Sequence, residues 1–312
     1  NWMGLLPPEV RQTPIIYLAI PGSHNSMTYG INSHSELAPD AEESVRRFYS
    51  VVPCIVRRWS KTQSSDVMDQ LNRGIRFFDL RVCTKHTPNN VAEIYYCHAL
   101  YSFEVTHPLK QINEFLNTHP KEFIILDFQH FYDFSQGDHV KLHNTVLDIF
   151  KDKLYKPSDG ALEFCSLTRA EGLGRQVLVI YRGYIVPFYF WASHHWPTPW
   201  PNTDSISNLK DFLEDRLKQR SPGSGYVTQL IITPTPRFIA LRTFSSLKGV
   251  AKKVLNDLLG WVKEQRPGPF VITGKRNSNV FIADFIDIRN SDFCRTIIDL
   301  NKYLTNDARR NY

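Results

Sequence analysis

The sequence reads as an α/β protein, a distorted TIM-type (β/α) barrel, on three observations. Short, almost wholly apolar runs alternate with helix-length amphipathic runs over 312 residues. That is the pattern of strands buried on both faces between crossover helices. No G-x-G-x-x-G follows any of the runs, which removes the main support for an open dinucleotide-binding sheet. The polar residues able to do chemistry stand at the C-terminal ends of the runs, and a barrel gathers those ends around one mouth.

The expected strands are IIYLAI (15–20), IRFFDLRV (75–82), EIYYCHA (93–99), FIILDFQ (123–129), VLVIYR (177–182), YVTQLIIT (226–233) and NVFIADF (279–285). Each is rich in Ile, Val, Phe or Tyr, which suits a pleated, buried surface. The irregular outline follows from finding seven such runs where a regular barrel has eight. Helices are expected over 64–73, 105–120, 138–152, 205–219, 244–265 and 292–304. Their apolar residues recur at three and four, as in Leu209, Phe212, Leu213 and Leu217, the spacing of one helix face. Ser65 and Ser207 are the expected N-caps of two of them. No internal repeat or linker divides the chain, so a single domain is expected over 1–312, with its motif-bearing part from about 12 to 304.

Composition narrows the class. Hydrophobic residues make up 42% and aromatic residues 13%, enough for a large core and against disorder. A net charge of +6 suits an anionic partner, such as a phosphate group or an acidic membrane surface. No zinc-finger spacing or basic RNA motif occurs, so nucleic acid is not an expected partner. The cysteines Cys54, Cys83, Cys97, Cys165 and Cys294 are odd in number and widely spaced, which reads as free thiols in a reducing compartment. The longest apolar stretch, 184–192, is broken by Pro187 and falls far short of the ~20 residues of a membrane span. No secretory leader is visible, and the expected location is cytoplasmic with transient membrane contact.

His24 lies in IPGSHNS (20–26), His98 in IYYCHALYS (94–102), and Asp79 and Arg81 in GIRFFDLRV (74–82). Alternate residues of a strand share a face. Asp79 and Arg81 therefore point one way while Phe78 and Leu80 point to the helices. Read alone, Asp79 and Arg81 are a buried ion pair or part of a site. His24 alone is a structural hydrogen bonder or a base, and His98 alone is a core histidine satisfied by a carbonyl. Convergence of all four with Asp284 at one set of strand ends favours function, because so many polar groups in a core are costly without use. Two histidines can divide the work of base and acid on a phosphodiester, with the arginine holding the phosphate charge. Asp284 can orient His24 through one ring nitrogen and leave the other as a base. Arg182 is a phosphate or inositol contact or a rim arginine. The stretch 184–202, with Trp191, Trp196 and Trp200, is a small core under a long loop or a membrane-dipping segment. His194 and His195 read as loop residues.

At these residues the chain resembles the X-domain family of phosphatidylinositol-specific phospholipases C. The likeness runs through IPGSHNS, residues 59–81, YYCHALYS, residues 121–132 and residues 279–287, nearly the whole chain and in order. No PH, EF-hand, C2 or second catalytic-half segment accompanies them, as in the X-domain-only proteins of animal cells. The resemblance implies a distorted TIM barrel, His24 as general base, His98 as general acid, Asp284 behind His24, and Asp79 and Arg81 at the phosphate. It implies phosphatidylinositol as substrate; Asn25, Gln129 and Arg182 are the expected substrate-binding residues.

Calcium-dependent relatives have Asn after the first histidine and three acidic residues, as a hard cation requires. Here Asn25 and Asp79 match, but Arg81 and Gln129 stand where carboxylates belong. Bacterial relatives place an arginine at the Arg81 position, where a guanidinium substitutes for the metal, but carry Asp where this chain has Asn25. The expectation is metal-independent chemistry with no cofactor. The alternatives are a catalytically weak lipid- or inositol-phosphate-binding module on the same barrel, and a metal-dependent phosphodiesterase such as the glycerophosphodiesterases.

Overall fold

The computed structural model describes residues 1–89, 91–242, 245–269 and 277–305. Its strands are β1 (Ile20–Ser23), β2 (Phe77–His86), β3 (Ala92–His98), β4 (Leu100–Glu104), β5 (Ile124–Tyr132), β6 (Val177–Tyr181), β7 (Trp191–Ala192), β8 (Val227–Leu230) and β9 (Val280–Ala283). The α-helices are α1 (Pro8–Arg11), α2 (Glu43–Val51), α3 (Pro53–Ser60), α4 (Val67–Asn72), α5 (Thr106–Thr118), α6 (Gln136–Phe150), α7 (Leu167–Gly172), α8 (Ile206–Lys218), α9 (Pro236–Ala240), α10 (Leu247–Lys263) and α11 (Asp292–Asp299).

Seven strands run parallel in the order β7-β6-β5-β2-β1-β9-β8, curling into the α/β barrel that the sequence predicts. The curl is completed between β7 and β8 by irregular chain. Gly225 donates to the His195 carbonyl at 3.0 Å and Val227 to that of Pro197 at 2.9 Å. A short, proline-rich stretch thus does the work of an eighth strand.

Two expected strands come out differently. Residues 93–99 are not a barrel stave. They form β3, antiparallel to β2 with Val82 opposite Tyr96, and β4 continues the hairpin. A near-continuous apolar run does not distinguish parallel from antiparallel pairing; the Thr87-Pro88-Asn89 stretch was the available turn signal. Residues 15–20 enter the sheet only at Ile20. Ile15–Tyr17 form a 3-10 turn between Pro14 and Pro21, and Ile15, Ile16 and Leu18 plug the barrel floor instead. The N-caps also shift. Asp66 accepts from the Asp69 amide, and Ser205 from that of Asn208, so neither Ser65 nor Ser207 caps its helix. The helix expected from 244 begins at Leu247, and residue 244 lies outside the described residues.

The pleat sorts side chains as the period of two requires. Phe78, Leu80, Leu126, Phe128, Val179 and Tyr181 face the helices, while Phe77, Ile125, Leu178, Ile180, Val280 and Ile282 fill the barrel. Above this apolar floor the inward positions turn polar, and the site begins. Gly22 is set by the floor, since a Cβ there would lie 2.8 Å from Ile282 and 2.9 Å from Phe77.

Buried Asn301 holds the entry to β1. Its amide accepts from the Ala19 N–H and donates to the Ala19 carbonyl, both at 2.9 Å. Asn301→Ala leaves both backbone groups unpaired in the core, and a loss of about 2–4 kcal/mol in urea unfolding is expected. A change below ~0.5 kcal/mol would contradict that role.

Candidate active site

β1 and β9 pair in parallel with Ser23 opposite Ala283. The next residues, His24 and Asp284, therefore lie side by side although 260 positions separate them. His24 Nδ1 is 2.7 Å from Asp284 Oδ1. Its Nε2 is 3.0 Å from Arg81 Nη2 and 3.7 Å from Asp79 Oδ2. A guanidinium can only donate, so Nε2 accepts and the ring proton sits on Nδ1, donated to Asp284. This is the tautomer of a base whose free nitrogen faces the mouth.

His98 arrives on the hairpin. Its Nδ1 lies 2.6 Å from the Ser60 carbonyl at the end of α3, so Nδ1 donates and Nε2 is left for the site. The two rings stand edge to face with centroids 6.4 Å apart. One tetrahedral phosphate group can reach both. Burial, and then the Arg81 cation, push the His98 imidazole below the usual histidine range, while Asp40 and the Ser60 carbonyl act in the other direction.

Three sharp turns aim these side chains. Asn25, Ala99 and Phe285, which follow His24, His98 and Asp284, have φ of 41°, 58° and 49°. Left-handed backbone is strained for such residues, and each turn is pinned at its N–H. Asn25 N donates to Asp79 Oδ2 at 3.2 Å, Ala99 N to Asp40 Oδ2 at 2.7 Å, and Phe285 N to the Thr62 carbonyl at 2.7 Å.

Thr62 and Gln63 lock the pieces together. Gln63 is fully buried, and its amide donates to the carbonyls of His24 and Ala283 at 2.9 Å each. Thr62 Oγ1 donates to those of His24 and Asn25. Sequence reasoning gave neither residue a part, although both lie in the 59–81 block.

The remaining expected residues line the same mouth. Arg182 donates twice to Asp127, at 2.8 Å each, and once to the Trp196 carbonyl. Gln129 donates its amide to Asp127 at 2.8 Å. Burial pushes the Asp127 carboxyl up to about 6 against the pull of Arg182. Gln129 is the extra residue of a bulge, since Leu80 pairs with Phe128 but Arg81 with His130. The bulge brings a third histidine, His130, within the field of Arg81, Asp79 and His24, which simple alternation along the strand did not indicate. The Asn25 amide, Asp79 Oδ1, Arg81 Nε and Asp40 Oδ1 are buried without a hydrogen-bond partner among the described residues.

The aromatic stretch divides. Trp191 and Trp196 are core residues, whereas Trp200 roofs the mouth, 5.7 Å from the His24 ring and 5.5 Å from the Arg81 guanidinium carbon. Ahead of them Tyr184, Ile185 and Phe188 are exposed. The five cysteines are free thiols, and no helix among the described residues is long and apolar enough to cross a membrane.

A shift in His98 is measurable directly. In isotope-labelled protein its ring is expected to stay neutral at pH 7 and to take up a proton only below the ordinary value of ~6.5. The unfolded chain binds this proton more readily than the folded one. The associated stability is therefore complete above pH ~6.5 and shrinks as the pH falls below it. An NMR titration at or above the ordinary value would contradict this.

The family model described as "Phosphatidylinositol-specific phospholipase C, X domain" matches residues 54–183. Among curated proteins, PI-PLC X domain-containing protein 2 of Mus musculus is 36% identical, over 99% of this chain and 89% of its own length. PI-PLC X domain-containing protein 3 of Homo sapiens is 36% identical, over 96% of this chain and 93% of its own. Among solved structures, a phosphatidylinositol-specific phospholipase C from Staphylococcus aureus matches with a TM-score of 0.65 at 17% identity, covering 96% of this chain and 97% of its own. One from Listeria monocytogenes matches with a TM-score of 0.61 at 18% identity, over the same shares. The structures share the barrel, the curated relatives match at 36% identity over nearly all of this chain, and the chain belongs to the PI-PLC X domain family.

Proposed function

We propose that this chain is a phosphodiesterase that cleaves phosphatidylinositol into diacylglycerol and a cyclic inositol phosphate, without a metal. The observation that carries the reading is the pair of imidazoles, His24 and His98, 6.4 Å apart with Arg81 bonded to the first. A phosphodiester entering the mouth draws the Arg81 guanidinium from His24 Nε2 onto its own oxygens and frees that nitrogen as a base. His24 then takes the proton of the inositol 2-hydroxyl, and the new charge on the ring is held by Asp284 and Asp79. The hydroxyl oxygen attacks phosphorus, and the bond to the diacylglycerol oxygen breaks. Protonated His98 gives its Nε2 proton to that oxygen. Water can open the cyclic product by the same route in reverse.

Asn25, Gln129 and Arg182 serve as contacts to the substrate or to the groups that hold it. The donor set argues against calcium. The Arg81 cation lies 3.8 Å from Asp79, and Gln129 turns its amide nitrogen toward Asp127, so positive charge and a donor stand where a hard cation needs oxygen. Tyr184, Ile185 and Phe188, exposed at 98%, 55% and 83%, follow β6 on the side of the mouth. They suit the interface of a bilayer that presents the lipid.

Purified protein is expected to release inositol phosphate from phosphatidylinositol vesicles equally with and without a chelator. His24→Ala and His98→Ala are each expected to reduce this by about 10²–10⁴-fold. The rate should peak below pH ~7 and fall as the pH rises, because the acid must carry its proton. Saturable vesicle binding with no product would replace this reading by that of a lipid-binding module, which the neutral Asn25 amide would then explain. Replacing Tyr184 and Phe188 together by Ser is expected to weaken vesicle sedimentation and leave hydrolysis of a soluble inositol phosphodiester unchanged.

A further inference from the structure

The base and the acid are unequally supported by the strands that carry them. His24 has Asp284 on one nitrogen and Asp79 beside the other. His98 has a neutral carbonyl on Nδ1, and the cation of Arg81 works against its charged form. Asn25, which follows His24, supplies no charge. Its amide has no hydrogen-bond partner at either end among the described residues.

A carboxylate nevertheless stands beside His98, in a loop far from every motif. The loop 35–41 is stitched along the hairpin. Ala38 N donates to the Ala99 carbonyl at 2.9 Å, and Tyr101 N to that of Glu36 at 3.0 Å. Arg46 clasps it from α2, donating to the carbonyls of Ala41 at 2.9 Å and Ala38 at 3.1 Å. This places Asp40 Oδ2 2.7 Å from the N–H of Ala99, the left-handed residue after His98. The arrangement repeats that of Asp79, whose Oδ2 takes the N–H of Asn25, the left-handed residue after His24. In both aspartates Oδ1 is buried with no hydrogen-bond partner within ordinary distance among the described residues, though the Cys97 thiol lies against Asp40. Asp79 uses the arrangement to stand beside the His24 ring.

We propose that Asp40 is the positioning carboxylate of His98, holding the turn that aims the ring and supplying the negative charge that the acid form needs, as Asp79 does for His24. The inference rests on the phosphodiesterase reading. The charged and titratable groups bearing on His98 are Arg81 from β2, Asp40 from the loop and His24 from β1, and of these only Asp40 is negative. Burial pushes the neighbouring Cys97 thiol and Tyr132 hydroxyl up, and the Asp40 charge adds to both in the same direction. Asp40 is half-buried with its Oδ1 shielded from solvent, and desolvating a carboxylate oxygen is costly unless its charge is used. The function gives it a use that capping one N–H does not require.

Asp40→Asn separates the two roles, because its amide oxygen still accepts from Ala99 while the charge is gone. The His98 titration, followed by NMR in wild type and D40N, is expected to move down by about one pH unit. In vesicle hydrolysis the alkaline limb of the rate profile should move down by the same amount, with about a tenfold loss at neutral pH. A substrate whose leaving group is a nitrophenol needs no acid and should be cleaved by D40N at nearly the wild-type rate. Should D40N fail to fold, Asp40→Ser gives the same comparison with a smaller acceptor. A His98 titration that stays in place, or a rate loss equal on both substrates with an unmoved limb, overturns the proposal and leaves Asp40 a structural cap. Absence of turnover in wild type on either substrate overturns the phosphodiesterase reading and Asp40's catalytic part with it, and the titration then decides separately whether the charge couples to His98.

Discussion

The parallel pairing of the first barrel strand with the last is the constraint on which the site depends. β1 and β9 come from opposite ends of the chain, and their register decides which residues emerge together at the mouth. Because side chains alternate along a strand, a slip of one residue would turn Asp284 away from His24. The register is held from three sides. Gln63 bonds the carbonyls of both strand ends, Asn301 and Asn279 hold the backbone entering β1, and Gly22 allows Phe77 and Ile282 to close beneath. These groups lie behind and beneath the mouth, yet they decide where the histidine pair sits.

Strain and burial are concentrated above that floor. Three left-handed residues follow the three site residues, and each is pinned through its own N–H. Such turns persist only where their surroundings over-determine them. Here two of the three pins are carboxylates, so the groups that fix the backbone also set the charge around the histidines. Stability and electrostatics at this mouth are therefore not separable residue by residue. Arg81 links them further. It donates to His24, faces Asp79 and lies under Trp200, and a bound phosphate would rearrange all three contacts.

Inside the mouth the buried charge is balanced locally. Asp127 and Arg182 form a bidentate pair with Gln129 on the same carboxylate, and His24 sits between Asp284 and Arg81. The expected ion pair of Asp79 and Arg81 is the looser one, at 3.8 Å. The Arg81 guanidinium is thus held less tightly by its carboxylate than that of Arg182, which has two bonds of 2.8 Å.

The sequence alone carried the fold class, because apolar runs of strand length alternating with amphipathic helices have few packed solutions. It also carried the inward face of Asp79 and Arg81, which follows from the period of a strand, and the likeness of the ordered motifs to one family. It did not carry the antiparallel return of β3, since a buried run looks the same in either direction. It did not carry the bulge that turns His130 toward the site, or the burial of Trp191 and Trp196 beside an exposed Tyr184 and Phe188. Least legible was Asp40, whose surroundings are set by hydrogen bonds between a loop and a hairpin some sixty positions further along the chain. Local pattern reports which face a residue takes. Only tertiary pairing decides which distant charge stands beside it, and that charge decides the proton chemistry.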